Sequence, residues 1–194
     1  MGFRIVTINR EFGSGGRTIG KEVAQRMGVT CYDEELVNQI AKESGMSKDF
    51  IKNSSEEASA NTSFLFALNN WANSALTDQI YITQRKIIQG LAEKGPCVIV
   101  GRCADFFLRE RDDCLNVFIH ADMAFKKDRI VRLYGEKDDT PEKRITEKDK
   151  RRIAYYKYYT DRTWGMAENY HLCLDSGVLG IERCVDTILS FVEH

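Results

Sequence analysis

The segment from Phe3 to Lys21 constrains this chain more than any other. Phe3-Arg4-Ile5-Val6-Thr7-Ile8 is β-branched and apolar, and it runs into a turn rich in glycine, with Gly13, Gly15 and Gly16. Such a run reads as a buried strand that ends in a loop. Thr18 to Met27 then places Ile19, Val23 and Met27 on one helical stripe, and Gly28 stops it. A strand, a glycine-rich turn and a helix N-terminus together make an anion site. Glycines let backbone N–H groups converge, and the helix dipole adds positive potential. The plain alternative is a tight strand-to-helix turn with no ligand. We read Gly13, Ser14, Gly15, Gly16, Arg17 and Thr18 as a phosphate-binding loop.

The remaining chain alternates strand and helix patterns. Val29 to Asp33 is a short second strand, and Glu34 to Glu43 reads as a helix. Residues 47–62 are polar and predict an irregular segment. A long helix is predicted from Ser63 to Lys94, where Leu65, Leu68, Ala72, Ala75, Ile80, Ile87 and Leu91 keep helical spacing. Cys97 to Val100 is a continuous apolar run, the pattern of a buried parallel strand. Leu115 to Ile119 is the next strand, followed by a helix from Met123 to Leu133 that Asp122 caps. A helix from Pro141 to Thr160, a strand from His171 to Asp175 and a helix from Gly180 to Val192 complete the chain. This alternation predicts an α/β layered fold with a mainly parallel sheet, in one domain spanning residues 1–194.

Composition narrows the partners. The 28 basic and 29 acidic residues nearly cancel to a net charge of -1, which argues against bulk nucleic-acid binding. No stretch approaches the ~20 apolar residues that span a membrane. The N-terminal residues lack the apolar run of a signal peptide, so a cytoplasmic location is expected. The six cysteines form no C-x-x-C pair, and they read as reduced thiols rather than a zinc site. His120, His171 and His194 are far apart and read as structural or exposed.

The loop departs from the usual G-x-x-x-x-G-K-S/T motif. Aligned on Gly13-Ser14-Gly15, the first glycine is Arg10, the lysine is Gly16, and the Ser/Thr is Arg17 with Thr18 next. Arg17 is a candidate to supply the missing charge, since its fork grips phosphate through two bonds. Ser14 and Thr18 are the candidate magnesium oxygens.

These residues resemble the cytidylate kinase-like family of P-loop proteins. The likeness is carried by Ile8 to Arg17, Tyr32 to Leu36, Val98 to Asp105, Asp149 to Thr160, and Asn169 to Gly177. It implies a three-layer P-loop NTPase fold with a mainly parallel five-stranded sheet, a helical monophosphate-binding region at about 31–82 and a lid at about 134–150. It implies a kinase that moves the γ-phosphoryl group of ATP, with Mg2+, to a CMP-like nucleoside monophosphate. Asp33 matches an acceptor-side aspartate of the family, although Gln39 stands where an arginine should follow. Gly101-Arg102 matches a Gly-Arg pair, with Cys103 in place of the next aspartate. Asp149 and Arg152 match an Asp-x-x-Arg pattern beyond the lid.

The resemblance thus implies Arg17, Arg102, Arg152 and Asp149 as catalytic candidates, and Asp33, Arg102 and Asp149 as acceptor contacts. Arg129, Arg132 and Arg151 are lid candidates, because phosphoryl transfer relies on positioning and charge. Arg129 and Arg132 are three apart and share a helix face. Tyr155, Tyr156, Tyr158 and Tyr159 cannot all face one side of a helix, and at least two should pack in the core. Two other functions stay open: a nucleotide or phosphate binder that has lost catalysis, and a kinase of a non-nucleotide small molecule. The helix predicted at Ser63 to Lys94 suits a homodimer contact and core burial equally.

Overall fold

In the computed structural model, residues 2–48 and 70–192 are described. The central strand β1 (Ile5–Arg10) is buried along its whole length. β2 (Thr30–Tyr32), β3 (Cys97–Val100), β4 (Cys114–His120) and β5 (Leu172–Asp175) join it in one sheet of order β2-β3-β1-β4-β5, every pair parallel. Parallel strands need crossover connections, carried here by α1 (Gly16–Met27), α2 (Glu34–Ser44), α3 (Asn70–Lys94), α4 (Ala104–Phe107), α5 (Met123–Tyr134) and α6 (Pro141–Thr160), while α7 (Ser176–Leu189) follows the last strand. The expected α/β fold with a five-stranded parallel sheet is therefore present. The polar segment predicted at 47–62 and the start of the long helix at 63–69 fall mostly outside the described residues, as do Leu65 and Leu68.

The sheet separates two cores, and strand alternation decides which side chain enters which. Ile5 packs with Leu36, Ile40, Ile88 and Ile99 beneath α2 and α3. Val6 and Ile8 point the other way, into Ile19, Val23, Val98, Val185 and Ile188 under α1 and α7. Burying each such side chain contributes roughly 1.5–3 kcal/mol, so both faces are fixed by ordinary hydrophobic burial. Among the described residues, no helix is long and apolar enough to cross a membrane.

One boundary differs from expectation. The last helix starts at Ser176 rather than Gly180, because the Asp175 carboxylate accepts from the N–H groups of Gly177 and Val178 at 2.9 and 3.3 Å. Gly180 is a kink inside it, with φ 78°. Of the four clustered tyrosines, Tyr156 is buried, Tyr159 stacks on Tyr81 with ring centroids 4.2 Å apart, and Tyr158 is 71% exposed. Trp164 packs edge-on against Phe118.

Candidate phosphate-binding site

The glycine-rich loop leaves the C-terminal end of β1 and opens α1. Gly13 and Gly15 hold φ values of 91° and 87°, backbone that side chains rarely adopt. A Cβ on Gly13 would also lie 3.0 Å from the Lys126 carbonyl oxygen of α5, so glycine is required there twice over. Gly15 is the N-cap of α1, whose first-turn N–H groups have no helical acceptor and face the loop.

Contacts from distant segments hold the loop. The Phe12 N–H donates to Asp149 Oδ1 at 2.8 Å, and Arg152 Nη1 donates to the same oxygen at 3.0 Å and to the Arg10 carbonyl at 3.2 Å. Burial pushes the Asp149 carboxyl above the ordinary range, while the Arg152 charge pulls it back. Lys126 Nζ donates to Glu11 Oε2 at 2.7 Å. Ser14 is fully buried; its Oγ donates to the Glu11 carbonyl, and its own carbonyl accepts from Ser176 Oγ at 2.5 Å.

The loop forms one wall of a cleft of about 750 Å³, with α5, residues 137–139 and α6 as the others. Nine cationic side chains line it against four acidic ones, which suits a polyanionic ligand. Arg17, Arg129, Arg151 and Arg152 all contribute, as do Thr18 and Asp33. Arg17 forms an ion pair with Asp33, joining the loop to the end of β2. Arg129 Nη2 donates to Thr18 Oγ1 at 2.7 Å, and burial lowers the pKa of this guanidinium. Phe12 stands within the cleft, stacked on Tyr134 with centroids 5.9 Å apart and with Lys148 Nζ 4.3 Å from its ring centre.

Two expected residues lie elsewhere. Arg102 does not line this cleft; a left-handed turn with φ 61° leaves it 3% exposed, with its carbonyl accepting from Gln84 Nε2. Arg132 is separated from Arg129 despite their helical spacing. It pairs with Asp128 at 2.6 Å and is 66% exposed, because only the Arg129 side of α5 turns toward the loop. Replacing Arg132 with Ala is therefore expected to change stability by no more than about 0.5 kcal/mol in chemical denaturation. Arg129→Ala should weaken phosphate binding in calorimetry, and equal effects of the two substitutions would refute this division.

The magnesium oxygens fare poorly as protein ligands. Thr18 Oγ1 is engaged by a guanidinium and Ser14 Oγ by a carbonyl. Among the described residues, no three His, Cys, Asp or Glu side chains group to hold a metal. The described residues thus offer no three-ligand protein site for an ion. Magnesium prefers to keep several waters and bind through substrate phosphates in any case.

Sequence reading missed three participants. Asp105 is fully buried and accepts from Asn9 Nδ2 at 2.8 Å and from the Tyr156 hydroxyl at 2.6 Å; burial pushes its carboxyl up to about 6. Lys126 shapes the loop through Glu11. Arg10 lines the cleft while only 6% exposed. The signal for Arg10 was its place at the first motif position, where glycine is usual.

A five-stranded parallel sheet of this order, with a glycine-rich loop leading from its central strand into a helix, is an α/β architecture that the chain shares with solved kinases. This chain belongs to the cytidylate kinase-like family, whose model matches residues 5–178. An uncharacterized protein from Eubacterium ventriosum is similar, at 26% identity over 96% of each chain with a TM-score of 0.75. Shikimate kinase from Acinetobacter baumannii, solved with shikimate, shares the fold at 14% identity, covering 97% of this chain and 92% of its own, with a TM-score of 0.54. Shikimate kinase from Bacteroides thetaiotaomicron does so at 17% identity over 96% of each chain, also with a TM-score of 0.54. No curated protein matches the sequence.

Proposed function

We propose that this protein is a cytoplasmic kinase that transfers the γ-phosphoryl group of ATP to a nucleoside monophosphate of the CMP type. The observation that carries the reading is the glycine-rich loop opening α1 into a cleft where cations outnumber acids by nine to four. Phosphoryl transfer asks for little covalent chemistry from a protein and much positioning and charge stabilisation. Backbone N–H groups from Gly13 to Arg17 would hold the donor phosphates. Arg152, fixed by Asp149, would meet the transferred group, and Arg151 would add charge from the same helix. Arg17 would connect donor and acceptor sides, since Asp33 orients it. Residues 134–150 would act as a lid that carries Arg144 and Lys148 toward the phosphates and excludes water. ATP would bring magnesium on its own phosphates, where the metal neutralises charge.

Incubation with ATP, magnesium and a panel of nucleoside monophosphates tests this reading; the expected result is a diphosphate product, with CMP among the acceptors used. Absence of product from every monophosphate would overturn it. A second reading, a phosphate-binding protein without turnover, is favoured by the Arg129 grip on Thr18. It expects ATP binding in calorimetry with no product. A kinase of a non-nucleotide small molecule would instead show product only with other acceptors.

A further inference from the structure

We propose that Arg10 is the cation of the phosphate loop, and that it takes over the charge lost where Gly16 replaces the motif lysine. The inference rests on the loop binding phosphate and deepens that reading by naming the residue that contacts the donor's terminal phosphates.

The two motif departures look independent in sequence. The first position has gained an arginine, and the lysine position has become glycine. In space they are one exchange. Val6 and Ile8 of β1 point into the core under α1. Strand alternation sends Arg10, two residues on, to the same face. There it crosses the first turn of α1. A Cβ built on Gly16 would lie 2.4 Å from Arg10 Cβ and 2.9 Å from its Cγ. No side chain tolerates such an approach, so an arginine at 10 and a lysine at 16 exclude each other. The Arg10 stem fills the volume into which a side chain at 16 would start.

Arg10 is also placed to act. It is more than nine-tenths buried yet lines the cleft beside Gly15, Gly16 and Arg152. Its backbone is held on both sides, because Arg152 Nη1 donates to its carbonyl and Lys126 fixes the neighbouring Glu11. Arg17, the residue that sequence favoured for this charge, points to Asp33 instead. A guanidinium at this place offers a planar two-bond grip, in contrast to the point charge of lysine.

The test compares ATP affinity by calorimetry and phosphoryl transfer in four proteins: wild type, Arg10→Gln, Arg10→Gly, and the exchanged pair Arg10→Gly/Gly16→Lys. Melting temperatures check folding, and Arg10→Gln keeps most of the side-chain volume. ATP binding should weaken roughly tenfold to a hundredfold in Arg10→Gln. The exchanged pair should recover most of the affinity that Arg10→Gly loses, which a merely space-filling arginine would not predict. Wild-type affinity in Arg10→Gln, or an exchanged pair that folds but binds no better than Arg10→Gly, would overturn the assignment. If the exchanged pair does not fold, the Arg10→Gln affinity decides alone. The kinase reading fails separately, when wild type binds ATP but transfers phosphate to no acceptor; the affinity ratios then still judge Arg10. A wild type that binds no ATP overturns both.

Discussion

Asp149→Ala is expected to cost about 3–5 kcal/mol of folding stability, the range for breaking a buried ion pair from one side. The two side chains are 13% and 8% exposed, and their contact is 3.0 Å. Removing the carboxylate takes a close negative charge from a guanidinium that is more than nine-tenths buried. The Phe12 N–H loses its acceptor as well. A urea titration measures the loss. The double substitution Asp149→Leu/Arg152→Leu should be much less costly, because both charges leave together and apolar groups fill the space. A single-variant loss under about 1 kcal/mol would show that the pair does not hold α6 to the loop.

The second large effect is a pH dependence centred on Asp105. Its carboxyl titrates near 6 in the folded protein, with burial the main cause and the Tyr156 hydroxyl opposing it. An unfolded aspartate titrates near 3.9. The folded state therefore binds the proton more tightly. Stability from this group is fully present below about pH 4 and is lost as pH rises through 6. The loss is about 3 kcal/mol. Asp105→Asn removes the titration while keeping the shape. At pH 4 the amide stands in for the neutral acid, its Oδ1 accepting from Asn9 and its Nδ2 donating to the Tyr156 oxygen, so the two proteins should be of similar stability. By pH 8 the variant should be the more stable by about 3 kcal/mol. Other titrating groups are common to both proteins and cancel in the difference. A gap that stays constant from pH 4 to 8 would refute the assignment.

What the sequence made legible was local. Phe3 to Ile8 is apolar and β-branched enough to read as a strand, Gly13 and Gly15 mark a turn, and Ile19 and Val23 recur at helical spacing. The sheet and the loop follow from those signals, and the family resemblance added the strand count. Sequence and structure part where tertiary packing decides. Gly180 reads as a helix start, and its non-helical backbone does separate the longer helix from a first turn that the Asp175 cap begins at Ser176. Arg129 and Arg132 are equivalent by spacing, yet only one flank of α5 packs on the loop. The resemblance marked Arg102 through its Gly-Arg pair, and a backbone turn buries it away from this cleft. Asp105 sits beside Ala104, Phe106 and Phe107, and nothing in that stretch announces that Asn9 and Tyr156 will meet its carboxylate. Arg10 was noted as a departure from the motif, but its nearness to Gly16 could be seen only in three dimensions.

The order of the sheet has a consequence for how the chain is made. β1 is made well before both strands that flank it; Thr7, for example, bonds to a side chain 109 positions downstream. The loop it carries is clamped later still, by Asp149 and Ser176. At cellular synthesis rates, the interval between Arg10 and Asp149 is on the order of ten seconds. For much of that time Ile5, Val6 and Ile8 of this strand, buried in the finished fold, are exposed to association with other chains. Such dominance of long-range contacts also slows spontaneous refolding. The most informative segment of the sequence is therefore one of the last to reach its final shape, and a nascent chain of this design has good reason to meet a chaperone before its loop is complete.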